Sequence, residues 1–331
     1  MNAPFDFELE KVVQTVQEKH VKRVLIQLPE GMKQYAPSIL TELQSQSSAE
    51  FLVSGDSTWG GCDLALDEAK SLKADLLVHF GHAQFVHVDF PVLYVEVKDT
   101  TDLTPLLVQS LDSIKGFSSL GIVSSIQHLH QLASVKAFYE QHGKTVQIPA
   151  KKGFAAYNGH VVGCEYNSLK AIQSSVDCFV VLGNTFHSLG AALSVQKPVF
   201  LVDTYNAEVS SMESLKQKIL KQRAIAIGKI KDAKIIGILV GSKVGQKFGQ
   251  YSLIQNKLEA LGKQVLVLTI NEFTPEKILN FYHVEGFIQL ACPRIAIEDY
   301  GKYERPLITY REAQVVLGTM QWEDLVEQGL L

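Results

Sequence analysis

Four cysteines lie in the 331-residue chain, at positions 62, 164, 178 and 292. Three of them share a setting. Cys62 follows Gly61 and precedes Asp63; Cys164 follows Gly163 and precedes Glu165; Cys292 ends an apolar run and precedes Pro293. Each reads as a loop residue beside the end of a strand or the start of a helix. Cys178 differs, because it opens the apolar run CFVVL and reads as core, where a free cysteine behaves as a small hydrophobe. Soft thiolates select zinc or iron–sulfur clusters. A 4Fe-4S cluster usually takes four cysteines, so three would leave one iron open to a substrate. Zinc on three cysteines and a histidine is the competing site, although no close C-x-x-C pair occurs. Spacing alone also admits three unrelated cysteines.

The elements that must position these thiols alternate. Short β-branched runs at Val24–Leu28, Leu76–Phe80, Val92–Val95, Leu120–Val123, Phe179–Leu182, Val199–Val202, Ile235–Val240, Val265–Leu268 and Phe287–Ala291 predict parallel strands covered on both faces. Between them, Lys33–Gln46, Gln131–Gln141 and Tyr251–Leu261 carry apolar residues at helical spacing. The class is α/β.

The chain also repeats itself. Aligning Gly61-Cys62-Asp63 with Gly163-Cys164-Glu165 brings Ala69 onto Ala171, Asp75 onto Asp177 and Gly81 onto Gly183 without a gap. A third step sets Glu285–Ala291 under the same strands. It puts Glu272 at the cysteine position and makes His82 and Asn184 the equivalents of Cys292. The expectation is three similar lobes around a pseudo-threefold centre: residues 1–114 with Cys62, 115–231 with Cys164 and 232–331 with Cys292, joined by linkers near Asp112–Phe117 and Lys229–Ala233. Three thiols from three lobes would then converge.

Composition narrows the class. The net charge is −4 with both signs mixed along the chain, which gives no electrostatic footprint for nucleic acid. Apolar runs are too short to cross a membrane, and the acidic start MNAPFDFELE is unlike a targeting peptide. A cytoplasmic protein is expected, with its thiols reduced.

Seven segments together resemble one family: QLPEGMK at Gln27–Lys33, GDSTWGGCD at Gly55–Asp63, HFGHA at His79–Ala83, GC at Gly163–Cys164, GNTFH at Gly183–His187, GSKVGQ at Gly241–Gln246 and ACPRIAIEDY at Ala291–Tyr300. The chain resembles the archaeal 2-(3-amino-3-carboxypropyl)histidine synthases, which act first in diphthamide synthesis. The resemblance implies a homodimer of three-lobed subunits with a 4Fe-4S cluster on Cys62, Cys164 and Cys292. It implies reductive cleavage of S-adenosylmethionine between sulfur and the methionine γ-carbon, and addition of the resulting 3-amino-3-carboxypropyl radical to a histidine of elongation factor 2. An electron donor, whose identity the sequence does not give, is also implied. The usual radical S-adenosylmethionine motif, three cysteines in one loop, is absent here, as it is from the family. Trp59 and Gly61 depart from some relatives. The rival family is quinolinate synthase, with a similar three-lobed plan, and a zinc- or cluster-binding scaffold is the non-enzymatic alternative.

For the S-adenosylmethionine site the candidates are Glu30, Gly31, Asp56, Trp59, Gly60, Gly61, Asn184, His187 and Arg294. The glycines permit close backbone approach, and helices expected to start after Gly31 and Cys62 offer free N–H groups to a carboxylate. Arg294 suits that carboxylate in a fork, with a surface ion pair as the plain alternative. Glu30 and Asp56 suit the amine or ribose, or a turn. His82 and His187 lie beside strand ends, whereas His128, His130, His142 and His160 read as solvated or capping residues. GSKVGQ follows a strand and reads as the opening of a helix that binds an anion, although Gln246 breaks the phosphate-loop pattern.

Overall fold

The fold is described from a computed structural model, for residues 4–331. Besides a two-stranded antiparallel pair of Phe5–Asp6 and Lys98–Asp99, three larger sheets form, one from each third of the chain, and these share one strand order. In the first, Glu50–Val53, Arg23–Gln27, Leu76–Phe80 and Val92–Val95 lie side by side, all parallel. The third runs Gln264–Ile270, Ile235–Gly241, Gly286–Gln289 and Leu307–Thr309, again all parallel. The second repeats this with Thr145–Gln147, Ser119–Ser124, Cys178–Gly183 and Val199–Asp203, then adds Glu208–Ser211 antiparallel at its edge. Each sheet therefore has its second strand outermost, then the first, third and fourth.

One acidic residue marks the shared plan. Asp75 Oδ2 accepts hydrogen bonds from the backbone N–H groups of Lys22 and Arg23, both at 2.9 Å. Asp177 Oδ2 accepts from Ser118 and Ser119 at 2.9 and 2.8 Å. Glu285 Oε2 accepts from Lys234 at 2.6 Å. Each carboxylate stands just before the third strand and ties it to the start of the first. The bonds from both backbone donors depress the Asp75 and Asp177 carboxyls below their usual range.

In the three larger sheets the strands missed from the sequence are short edge strands: Glu50–Val53, Thr145–Gln147, Glu208–Ser211 and Leu307–Thr309, and the two-residue pair Phe5–Asp6 and Lys98–Asp99 was missed as well. The first three mix polar residues into few positions, so no apolar run announces them. The stretch Lys229–Ala233 is no loose linker. It is the end of the 20-residue helix Glu213–Asp232. Likewise Asp112 and Ser113 close the helix Thr104–Ser113.

Packing is uneven between the sheets. One apolar core runs from Val123, Phe179 and Leu201 of the second sheet, through Ile219, Ile227 and Ile230 of the long helix, to Ile236, Ile288 and Ile308 of the third. The first sheet has its own core, including Val24, Ile26, Val78 and Phe80. It meets the others through the Phe85–Phe154 ring stack and through polar contacts: Gln127 Nε2 donates to Gly81 O at 2.7 Å, Gln131 Nε2 to Thr101 O at 2.9 Å, and Lys243 pairs with Asp63 at 2.6 Å.

Candidate active site

Cys62 and Cys164 sit in turns and Cys292 caps a helix. Cys62 lies in the turn closed by Asp63 N–H donating to Gly60 O at 2.9 Å, and the next helix, Leu66–Ser71, starts only later. Cys164 lies in the turn bridged by Val162 and Glu165. Cys292 caps Pro293–Glu298 directly after the third sheet's central strand. Cys178 is fully buried in its strand, among Leu120, Val180 and Tyr139.

The first three thiols feel one another. Burial pushes Cys164 well above the usual thiol range, and the neighbouring Cys292 and Cys62 push it further. Cys292 rises to about 12 from burial, with Cys62 adding to it. Cys62 rises from burial too, partly offset by a hydrogen bond from Gln246. Cys178 also rises to about 12, but from burial and Asp177, with no other thiol involved. Three thiols from three sheets thus share one electrostatic neighbourhood. Among the described residues no three His, Cys, Asp or Glu side chains stand close enough to grip a single metal ion. Three thiolates are a donor set that would leave one of four irons open. They fit a 4Fe-4S cluster better than zinc.

The loop GSKVGQ holds the Cys62 turn. Gly245 N–H donates to Cys62 O at 3.2 Å, Gln246 Nε2 donates to Cys62 Sγ at 3.7 Å, and Lys243 pairs with Asp63. A Cβ on Gly245 would stand 2.6 Å from Cys62 Cα, so only glycine permits this approach. The expectation that this segment opens an anion-binding helix is corrected: the helix begins at Tyr251, and the loop's polar groups are spent on Cys62 and Asp63. From the other side, Gln27 Nε2 donates to Asp63 O at 2.8 Å and its Oε1 accepts from Ala65 N–H at 3.2 Å. Those two backbone partners fix the amide's orientation. Oε1 therefore accepts from His79 Nδ1 at 2.9 Å, leaving His79 Nε2 to accept from His82 Nδ1 at 3.0 Å. Gln27, His79, Lys243 and Gln246 were missed as site residues. A glutamine ending an apolar strand, as in VLIQ, was the available signal.

Arg294 is buried, not a surface ion pair. It pairs with Glu298, donates to Phe186 O at 2.5 Å and stacks 4.1 Å from the Phe186 ring centre. Its Nε and Nη1 are buried without a hydrogen-bond partner. Gly190 faces Nη1, and any side chain there would displace it. Asn184 caps the helix Thr185–Ala192, and its Oδ1 accepts from His187 Nδ1 at 3.0 Å. Burial, then the positive Arg294, hold His187 down at about 3. His82 falls to about 4 through burial, and His160 falls to about 4 through burial and His82. His128 and His160 are thus buried, against expectation, while His142 does cap, its Nδ1 lying 2.8 Å from Phe138 O.

The remaining candidates divide. Trp59 is half exposed and lines a crevice with Cys292, Gln246, Lys243 and Glu272, the last standing at the cysteine position of the third repeat. Gly60 and Gly61 flank it, and a Cβ on Gly60 would lie 3.6 Å from Cys62 Sγ. Glu30 is occupied by Lys33 at 2.7 Å. Gly31 begins the 3-10 helix Glu30–Tyr35 rather than an α-helix, with open space beside it. Asp56 is exposed, and its backbone oxygen accepts from Lys33 Nζ at 2.7 Å.

Residues 28–326 match the family described as "Putative diphthamide synthesis protein". The 2-(3-amino-3-carboxypropyl)histidine synthase of Pyrococcus horikoshii is 30% identical over 300 residues, 90% of this chain and 86% of that protein. Subunit 1 of the human enzyme of that name is 30% identical over 96% of this chain and 73% of its own length. The crystal structure of Dph2 from Pyrococcus horikoshii with a 4Fe-4S cluster superposes with a TM-score of 0.85 at 26% identity, covering 96% of this chain and 92% of that one. With residues 28–326 matching the family model and a relative 30% identical over 90% of the chain, this chain belongs to the diphthamide synthesis protein family.

Proposed function

We propose that this protein is a 2-(3-amino-3-carboxypropyl)histidine synthase: it moves the 3-amino-3-carboxypropyl group of S-adenosylmethionine onto a histidine of elongation factor 2. The observation that carries the reading is the grouping of Cys62, Cys164 and Cys292 beside a buried arginine with two unpaired nitrogens. In this reading the three cysteines hold a 4Fe-4S cluster, which supplies the single electron that breaks the bond from sulfur to the methionine γ-carbon.

The chain's own residues do the rest. Arg294 offers Nε and Nη1 to the substrate carboxylate, a charged acceptor that would satisfy both. Asn184 and His187 orient the methionine portion, and His187 stays neutral because of Arg294 and burial. Trp59, Gly60 and Gly61 form the wall facing the sulfonium, where close backbone approach is possible. Glu30, Gly31 and Asp56 line the more exposed outer side and serve the amine or ribose. Positioning decides which sulfonium bond breaks, because the bond held nearest and best aligned receives the electron. An outside electron donor supplies the reductant.

The three sheets are read as lobes 1–114, 115–231 and 232–331 around a pseudo-threefold centre, an arrangement supported by their common strand order. The active form is read as a two-fold homodimer in the cytoplasm. Exposed Leu253, Leu261 and Leu266 by the open edge of the third sheet support a second copy, and a monomer mass by light scattering would exclude it. The deciding experiment is to incubate the anaerobic, dithionite-reduced protein with S-adenosylmethionine. The expected nucleoside is 5′-methylthioadenosine. Dominant 5′-deoxyadenosine would overturn the reading, and no nucleoside from an intact reduced cluster would bring the quinolinate-type alternative forward.

A further inference from the structure

A second concave surface lies on the outer side of the Cys62 turn. It is an open groove of about 510 Å³ lined by Phe85, His87, Tyr94, Glu96 and Tyr157. Its inner wall is continuous with the site: a Cβ on Gly61 would lie 2.6 Å from Ala83 O and 3.1 Å from Phe85 Cβ. Tyr94 Oη is buried without a full hydrogen bond, and Cys62 is near enough to influence it. The rim is aromatic and exposed. Phe154 stacks on Phe85 with ring centres 4.4 Å apart and remains 47% exposed, and Tyr157 is 48% exposed. These rings sit on the outside although apolar surface normally prefers burial.

The groove also carries a fixed charge. Tyr157 Oη donates to Glu96 Oε1 at 2.7 Å, while Glu96 Oε2 accepts no hydrogen bond among the described residues. An oriented carboxylate between aromatic faces recognises flat or cationic donors: imidazole, guanidinium and ammonium groups. It disfavours acidic partners. The volume suits a side chain with its flanking backbone.

We infer that this groove receives the histidine-bearing loop of the protein substrate, with Phe85, Phe154 and Tyr157 stacking on the loop and Glu96 Oε2 accepting an N–H from it. The inference rests on the synthase reading above. It places the docking surface at Ala83–Glu96 and Phe154–Tyr157, beside the Cys62 turn but outside the crevice of Cys292 and Arg294.

The test compares two products from one reaction. Cluster-loaded Glu96→Gln/Phe154→Ala and Glu96→Lys variants are reduced and given S-adenosylmethionine, with and without elongation factor 2. The wild type should couple most of its 5′-methylthioadenosine to modified factor. In both variants modified factor per methylthioadenosine should fall at least tenfold, with 2-aminobutyrate from the quenched fragment rising and KM for the factor increased. Glu96→Lys should be the worse. An unchanged product ratio and KM in both variants would overturn the groove. No methylthioadenosine from the wild type would instead overturn the synthase reading and the groove with it.

Discussion

Arg223 and Arg294 are both buried beside a glutamate, yet only one has a partner at every nitrogen. Arg223 Nε and Nη2 meet the two oxygens of Glu312 at 2.7 and 2.8 Å, Nη1 donates to Ala296 O at 2.6 Å and Nη2 also to Leu307 O at 2.7 Å. Glu312 in turn accepts from Thr309 N–H in a capping box. Arg294 has only Nη2 occupied, by Phe186 O and Glu298, while Nε and Nη1 go without. Leaving a buried donor unpaired costs about 1–3 kcal/mol, so the first arginine is scaffold and the second awaits a partner. The cysteines divide in the same way. Cys178 is enclosed by its strand neighbours, whereas Cys164 and Cys292 are each raised by another of the three loop thiols as well as by burial.

This contrast is easiest to break at the thiols. Cys292→Ala should strip iron from the purified protein and abolish methylthioadenosine formation, with Cys62→Ala and Cys164→Ala behaving alike. Retained iron and full activity would sink the assignment. Glu312→Ala leaves Arg223 buried and unpaired, and should lower unfolding free energy by about 3–5 kcal/mol. Denaturant titration reads this directly; a loss below ~1 kcal/mol would mean the scaffold arginine had been misjudged. Arg294→Met should do the reverse. Loss of charged hydrogen bonds worth about 1.5–3 kcal/mol predicts a roughly 10–100-fold fall in kcat/KM for S-adenosylmethionine. The melting temperature should hold, and a collapsed melt with normal kinetics would invert the comparison.

Acid offers a gentler probe. His82, His160 and His187 are held near 4, 4 and 3 in the fold, below the free histidine value. Between those values and about 6.5 the unfolded chain binds protons that the folded one refuses, so stability is full above 6.5 and falls as pH drops. The slope is at most about 1.4 kcal/mol per histidine per pH unit. Flat stability from pH 7 to 4.5 would show these rings to be solvated. The smallest effect should come from Cys178→Ala, on the order of 1 kcal/mol, with iron and activity retained.

The sequence made the central strands plain, because runs such as LLVHF and CFVVL are apolar on both faces, and the Gly61/Gly163 alignment already implied a repeated unit. It also set the three loop cysteines apart from Cys178, which lies buried in its strand. Edge strands such as Thr145–Gln147 stayed hidden because three residues give no periodicity. The partners of Cys62 stayed hidden for another reason. Gln246 and Lys243 lie far along the chain, and only the docking of the third sheet on the first brings them to it. Burial of His128 and His160 followed from packing between sheets, which local polarity does not report.

The polar seam around the first sheet has a consequence for the order in which the molecule is built. The second and third sheets share an apolar core, but the first is attached by amides, a lysine, one aromatic stack and the Cys62 turn. In the proposed reading the ligand set is complete only once Cys292 has been made, so a cluster can form only when residues of all three sheets are available. In that reading, a cluster on the three cysteines would tie the first sheet to the core that the other two share, and binding of that kind adds to folding free energy. Loss of such a cluster would then loosen the first sheet's attachment to the other two as well as end the chemistry proposed for it.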